Sequence, residues 1–324
     1  MANIKEFSMT SIIFMGTPEF GVPILTALAA KYDVVTVITQ PDRLVGRKQR
    51  LQQSPVKVAA TKLGIPVLQP EKLSGSPELD QAIALAPDLI VTAAYGQFLP
   101  TKFLKAAKIA ALNVHGSLLP KYRGGAPIQY SIINGDAVTG VTIIEMVKAM
   151  DAGDIYAQAT LPLTRADDTG TVFAKLSLMG RDLLLETLPQ IIAGTATKRP
   201  QDPALVTFSP TLTKEQEHLD ITLPAPQLDQ WVRGLRPAVG GYVYLNGERV
   251  KLWAITPQAA ATTAAPGVVV ERSKKRLVVA AGAQTSFAID ELQPAGKSRQ
   301  PIAAFLNGAG QAIKEGDLII GNAQ

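Results

Sequence analysis

Short β-branched runs alternate with proline-marked helix starts through the first 120 residues of this chain. Ser11–Met15, Val34–Thr39, Ile65–Leu68, Leu89–Ala94 and Ala111–Val114 read as strands, most of them of the buried type. Between them, Thr17-Pro18-Glu19, Ser54-Pro55 and Ser76-Pro77-Glu78 each set a hydroxyl before a proline, the signature of a capped helix start. Gly64 stops the second of these helices. Strands that alternate with helices must be joined by crossovers, so the expected fold class is α/β with a mostly parallel, Rossmann-like sheet. Ligands in such sheets sit at the carboxyl ends of strands. The residues after Met15, Thr39, Ala94 and Val114 are therefore the first places to look for chemistry.

Beyond Gly194 the texture changes. Thr195–Pro210 is rich in Thr, Pro and small residues and reads as a linker. From about residue 225 the runs are short and β-rich: Tyr242–Leu245, Val250–Trp253, Gly267–Val270 and Leu277–Ala280. Asn246-Gly247 between the first two is a strong hairpin signal. The expectation is a small barrel or sandwich. The domains then fall at 1–194, a linker at 195–212, and 213–324, and the length of 324 residues suits two domains. Gln258–Ala265, rich in Ala and Thr, reads as a loop.

The absence of cysteine excludes disulfides and thiolate chemistry and removes the usual zinc ligands. The apolar run Ile12–Met15 is too short for a secretory core, and no stretch approaches a membrane span, so the expected location is cytoplasmic. The first eight residues read as a frayed tail, with Met9 as an alternative start. The net charge of +5 is spread evenly: residues 213–324 hold 12 Lys/Arg against 10 Asp/Glu. Any nucleic-acid surface must come from local clusters.

There are two histidines, His115 and His218. His115 stands at the expected carboxyl end of a strand, and Asn113, two residues earlier, points the same way on extended backbone. Together they supply an amide donor and a group that exchanges protons near neutrality, enough to hold a carbonyl oxygen as it gains charge. The alternative is a strand end whose polar side chains merely close off backbone groups. Asp151, in Met150-Asp151-Ala152-Gly153-Asp154, would orient an imidazole if the fold brought it there; otherwise it belongs to a surface turn. Ser117 lacks a nucleophile elbow, and Gly16-Thr17-Pro18-Glu19-Phe20-Gly21 lacks dinucleotide spacing, with Glu19 placed to repel a pyrophosphate. The loop Gln40–Arg50 carries Arg43, Arg47, Lys48 and Arg50 against Asp42 alone. It is either a solvated basic loop or a phosphate-contacting arm. Arg272 with Lys274-Lys275-Arg276 forms a second basic cluster, open to the same two readings.

The motifs as a set resemble the methionyl-tRNA formyltransferases over nearly the whole chain. The resemblance is carried by Phe14–Phe20, Thr39–Arg43, Ser54–Lys57, Ala93–Gly96, Leu99-Pro100, Asn113–Pro120, Tyr122–Ile128 and Asp151–Asp154. It implies that Asn113, His115 and Asp151 are the catalytic set, with no metal, and that the formyl donor is 10-formyltetrahydrofolate. Ser117, Leu118, Leu119 and Pro120 would form part of the folate site, and Tyr95 and Gly96 would border its pterin pocket. Arg43, Arg47 and Lys48 would grip methionyl initiator tRNA, Phe20 would touch the methionyl side chain, and the C-terminal domain would be an OB-like β-barrel adding tRNA surface. A monomer is expected. The chain departs from the family's usual residues at Leu44-Val45, at Lys148-Ala149-Met150 before Asp151, and at Arg236–Gly241.

Two other functions remain open on the residues. One is a folate-dependent formyltransferase for a small amine, such as glycinamide ribonucleotide or an amino sugar, which would need neither the basic loop nor the second domain. The other is a non-catalytic RNA-binding protein on an inert scaffold, which the intact Asn113, His115 and Asp151 argue against.

Overall fold

The computed structural model describes residues 9–46 and 49–321. The first eight residues, and Arg47 and Lys48 of the basic loop, lie outside the described residues. Contacts divide the chain into two units that each draw on separated segments. The first runs to Pro127 and adds Thr139–Leu161 and Phe173–Pro210; the second takes Ile128–Val138, Pro162–Val172 and everything from Thr211.

The first unit is built from β1 (Ser11–Gly16), α1 (Val22–Ala29), β2 (Asp33–Ile38), a small hairpin of β3 (Arg43–Val45) and β4 (Arg50–Gln52), α2 (Pro55–Lys62), β5 (Val67–Leu68), α3 (Pro77–Ala84), β6 (Leu89–Ala93), α4 (Thr101–Leu104) and β7 (Ala110–His115). After α5 (Pro127–Ile133), which from Ile128 belongs to the second unit, come β8 (Val138–Glu145), β9 (Ile155–Pro162) and α6 (Thr169–Ile192), the last joining the first unit from Phe173. The sheet order is β5-β2-β1-β6-β7-β8-β9. The first five strands are mutually parallel, and β8 runs antiparallel to β7. Strand order reverses between β1 and β6, which opens a crevice at their carboxyl ends. Ile12, Ile13, Phe14 and Met15 are each fully buried, as a strand covered on both faces requires.

The expected caps act at two of the three helix starts. Ser54 and Ser76 accept hydrogen bonds from the Lys57 and Leu79 amides. Thr17 does not cap: a short 3-10 turn, Glu19–Gly21, precedes α1, and the Thr17 hydroxyl donates instead to the Tyr95 carbonyl, 2.9 Å away. It thereby ties the β1 turn to the β6 turn. The segment read as a linker runs back along this unit: Ile155 and Arg199 exchange backbone hydrogen bonds, and the Arg123 amide donates to the Thr207 carbonyl while its own carbonyl accepts from the Ser209 amide.

The second unit contains α7 (Ala225–Leu235), β10 (Gly241–Leu245), β11 (Glu248–Pro257), β12 (Val269–Arg272), β13 (Leu277–Ala280), β14 (Ser286–Pro294), β15 (Gln300–Pro301), α8 (Ile302–Leu306) and β16 (Ile320–Gly321). The antiparallel order β12-β13-β14-β11-β10-β16 curls into an OB-like barrel. A bridge between Val268 and Leu318 joins the two ends of that order. Asn246 and Gly247, at φ of 49° and 82°, make the hairpin turn that their sequence predicts. The helix α7 interrupts a region expected to be all β. Its prolines allow the start, and Leu228, Val232 and Leu235 share one apolar face that fills the barrel core. Among the described residues, no helix is long and apolar enough to cross a membrane.

Candidate active site

Asn113 and His115 end β7, where residues two apart share one face. Asp151 arrives from the turn between β8 and β9: β8 runs antiparallel from Thr142 beside His115 to Glu145 beside Leu112, and the turn that follows returns Asp151 to the cluster. The three side chains converge. The Asp151 carboxylate accepts from the Asn113 amide at 3.3 Å and lies 3.7 Å from His115 Nδ1. The Gly124 amide donates to its other face at 2.9 Å. Asn113 Oδ1 accepts from the Thr92 hydroxyl at 2.8 Å, so its orientation is set and its amide hydrogens point away from β6. His115 is 6% exposed, and its Nε2 lies 2.9 Å from the Tyr122 carbonyl. One ring nitrogen is thus within hydrogen-bond range of a backbone carbonyl, and the other faces the Asp151 carboxylate from 3.7 Å.

Backbone strain gathers around this cluster. Asp151 and Tyr122 hold positive φ values of 49° and 64°, in the region that non-glycine residues avoid. Close approach holds the turn in place: a Cβ on Gly153 would lie 1.7 Å from the Glu145 carbonyl oxygen, so only glycine fits there. The adjoining segment is equally fixed. Ser117 donates to the Lys121 carbonyl at 2.6 Å, and Thr142 to the Ser117 carbonyl at 2.6 Å. Gln158 reaches the Leu119 carbonyl at 2.8 Å. Ser117 and Leu119 are buried, while Leu118 and Pro120 are half-buried.

The turn after β6 carries Ala94 and Gly96 at positive φ and aims the Tyr95 carbonyl at Thr17 and Gln40. The Tyr95 ring is buried, and its hydroxyl has no hydrogen-bond partner among the described residues. Burial pushes that phenol up to about 12.

The other described residues singled out from sequence make contacts of their own. Phe20 is 3% exposed and meets Phe173 edge to face, with ring centroids 5.3 Å apart. Arg43 makes a two-pronged, exposed ion pair with Glu71 at 2.7 and 3.3 Å. Asp42, the acid of the basic loop, is held below the usual carboxylate range by hydrogen bonds from Lys57 and Gln69. In the second cluster, Arg272 caps the carbonyls of Ile313 and Leu306, and Arg276 pairs with Glu271.

Sequence reasoning missed Gln201 and Arg123. Arg123 donates through Nε and a terminal nitrogen to Gln201 Oε1, at 3.1 and 2.8 Å. Gln201 in turn donates to the carbonyls of Asp151 and Gly153, at 2.7 and 2.8 Å. Arg123 lies within the motif Tyr122–Ile128; nothing local marks Gln201, which sits in a low-information Pro/Thr segment.

A parallel sheet that gathers an amide, an imidazole and a carboxylate on its carboxyl edge, with no nucleophile among them, is built for direct group transfer. The chain belongs to the formyl transferase family: residues 9–188 match the family's formyl transferase domain, and 211–310 its C-terminal domain. Its full-length relatives carry a narrower name. The methionyl-tRNA formyltransferase of Lacticaseibacillus casei (strain BL23) is 76% identical over 313 residues, spanning 96% of this chain and 98% of that one. The methionyl-tRNA formyltransferase of Enterococcus faecalis (strain ATCC 700802 / V583) is 57% identical over 312 residues, with 96% and 100% coverage. Among solved structures, WlaRD, a sugar 3N-formyl transferase crystallised with dTDP and 5-N-formyl-THF, superposes with a TM-score of 0.64. It is 16% identical and covers 90% of this chain and 99% of its own. HypX from Aquifex aeolicus in complex with tetrahydrofolic acid gives 0.60 at 17% identity, over 95% of this chain and 48% of that one. At such identities these two structures speak for the fold alone.

Proposed function

We infer that this chain transfers the formyl group of 10-formyltetrahydrofolate to the free amino group of methionyl initiator tRNA, giving N-formylmethionyl-tRNA and tetrahydrofolate. One structural observation carries the chemical part: Asn113, His115 and Asp151 meet at one strand end. Full-length similarity to methionyl-tRNA formyltransferases carries the choice of acceptor.

The neutral amine adds to the formyl carbon, and negative charge collects on the formyl oxygen. Asn113 and the protonated His115 donate to that oxygen, Nε2 exchanging the Tyr122 carbonyl for it. Asp151 balances the charge on the ring and takes part in moving the amine proton toward the leaving nitrogen. Ser117, Leu118, Leu119 and Pro120, held by Thr142 and Gln158, form a wall of the folate site. Tyr95 and Gly96 border the pterin, and Arg43, Arg47 and Lys48 contact tRNA phosphates. Phe20 touches the methionyl side chain only if its packing against Phe173 opens. In this reading residues 1–194 carry catalysis, 195–212 connect, and 213–324 add tRNA surface; the enzyme works as a cytoplasmic monomer.

The test is a formyl-transfer assay with 10-formyltetrahydrofolate and methionyl initiator tRNA, with glycinamide ribonucleotide as a parallel acceptor. Formylation of the charged tRNA alone supports the reading. Transfer to the small amine alone would leave the Asn113, His115 and Asp151 chemistry standing and remove tRNA as the acceptor. Binding of tRNA with no transfer to either would overturn the catalytic reading.

A further inference from the structure

Gln201 lies between the two family-matched regions, which end at 188 and resume at 211, yet it is 9% exposed beneath the catalytic turn. Its amide is fully used. Nε2 gives one hydrogen to the Asp151 carbonyl and one to the Gly153 carbonyl, while Oε1 takes two from Arg123. The arrangement has one orientation only, because a flipped amide would set its NH₂ against a guanidinium and its oxygen against two carbonyls.

The turn it grips is the one that needs gripping. Asp151 sits at φ 49°, a conformation that non-glycine residues avoid and that persists only when its surroundings enforce it. The same residue aims its carboxylate at Asn113 and His115. Among the described residues, Gly124 is the one backbone donor to that carboxylate, at 2.9 Å, so the side chain's position follows the turn's.

We propose that Gln201 is a positioning residue for formyl transfer: with Arg123 it clamps the Asp151–Gly153 turn in its strained form and so sets the Asp151 carboxylate against His115. The proposal rests on the formyl-transfer reading above. It gives the connecting segment a part in the chemistry, although Gln201 touches no reacting atom. Relaxing the turn displaces the carboxylate, and a displacement of about 1 Å at a reacting group costs on the order of 100-fold in rate. A group that only positions the carboxylate acts on the chemical step, so the loss is expected in kcat.

The test compares wild type, Gln201→Met, Asp151→Ala and the double variant, with 10-formyltetrahydrofolate and methionyl initiator tRNA as substrates. The expected result is a fall in kcat of about 10- to 100-fold for Gln201→Met, with both KM values within about threefold of wild type. In the Asp151→Ala background, Gln201→Met should cost nothing further, since the carboxylate it positions is gone. An equal loss in both backgrounds would mean a merely structural stitch and overturn the proposal; so would a kcat within about twofold of wild type. Should thermal melting show Gln201→Met to be unfolded, Gln201→Glu decides by the same thresholds. It keeps an acceptor for Arg123 but sets carboxylate oxygen against two carbonyls, so the same fall in kcat is expected. Wild type is assayed first. No transfer by wild type overturns the formyl-transfer reading together with this one, whereas active wild type beside unaffected variants overturns the role of Gln201 alone.

Discussion

Asp151→Asn removes the negative charge from the Asn113–His115–Asp151 cluster and keeps its shape. The two side chains are isosteric, and the turn that carries them is held through backbone carbonyls that the substitution leaves alone. The new amide has one acceptable orientation. Its oxygen must keep the Gly124 amide at 2.9 Å, which turns its NH₂ toward the Asn113 amide at 3.3 Å. What disappears is the hydrogen bond from the Asn113 amide and a negative charge 3.7 Å from His115 Nδ1, in a site where the histidine is 6% and the aspartate 15% exposed. At an effective dielectric constant of about 20, a charge pair at that distance interacts by about 4 kcal/mol. If most of this is realised as the ring carries its charge in the transition state, kcat/KM falls by about 100- to 1000-fold. Stability should change little, by about 1 kcal/mol. The assay is steady-state formylation of methionyl initiator tRNA, beside a thermal melt. Activity within about fivefold of wild type would refute the electrostatic argument. A collapse of the melt with equal loss of activity would show that the carboxylate holds the turn rather than the proton.

Gly153→Ala should destabilise the first unit by about 2–3 kcal/mol in urea unfolding and abolish transfer, because its Cβ would fall 1.7 Å from the Glu145 carbonyl oxygen. Tyr95→Phe removes a buried hydroxyl that has no partner among the described residues, so thermal stability should be equal or higher. The Tyr95 phenol titrates at about 12 in the folded chain, against an ordinary value of 10.0. The folded state thus holds the proton longer than the unfolded one, and stability contributed by this group is full below pH 10 and lost as pH rises toward 12. The phenylalanine variant should show a flatter decline across that window. A raised KM for the folate in the same variant is what assigning Tyr95 to the pterin pocket requires. Arg43→Ala should change stability by less than about 1 kcal/mol, since its ion pair with Glu71 is exposed, yet weaken tRNA binding and reduce the salt slope by about one. An unchanged slope would remove Arg43 from the tRNA interface.

The alternation of strand runs and capped starts made the parallel sheet legible because its causes are local: β-branched residues, serine caps and prolines act within a few positions of themselves. Asn113 and His115 were legible for the same reason, since two residues on one strand share a face wherever the strand lies. The helix α7 was hidden among β-rich neighbours; its apolar stripe acquires meaning only against the barrel core. Thr17 looked like a cap and became a tie between two strand ends, because the Tyr95 carbonyl is near it only in the folded sheet. By itself, then, the sequence determined the layers, the strand that carries the imidazole and the family to which the motifs point. Tertiary structure alone decided that Asp151, 36 positions beyond His115, faces it, and that Gln201, a further 50 on, holds the turn from which it does so. Both rest on antiparallel β8 returning past β7 and on a connecting segment folding back, long-range contacts whose geometry no local pattern encodes.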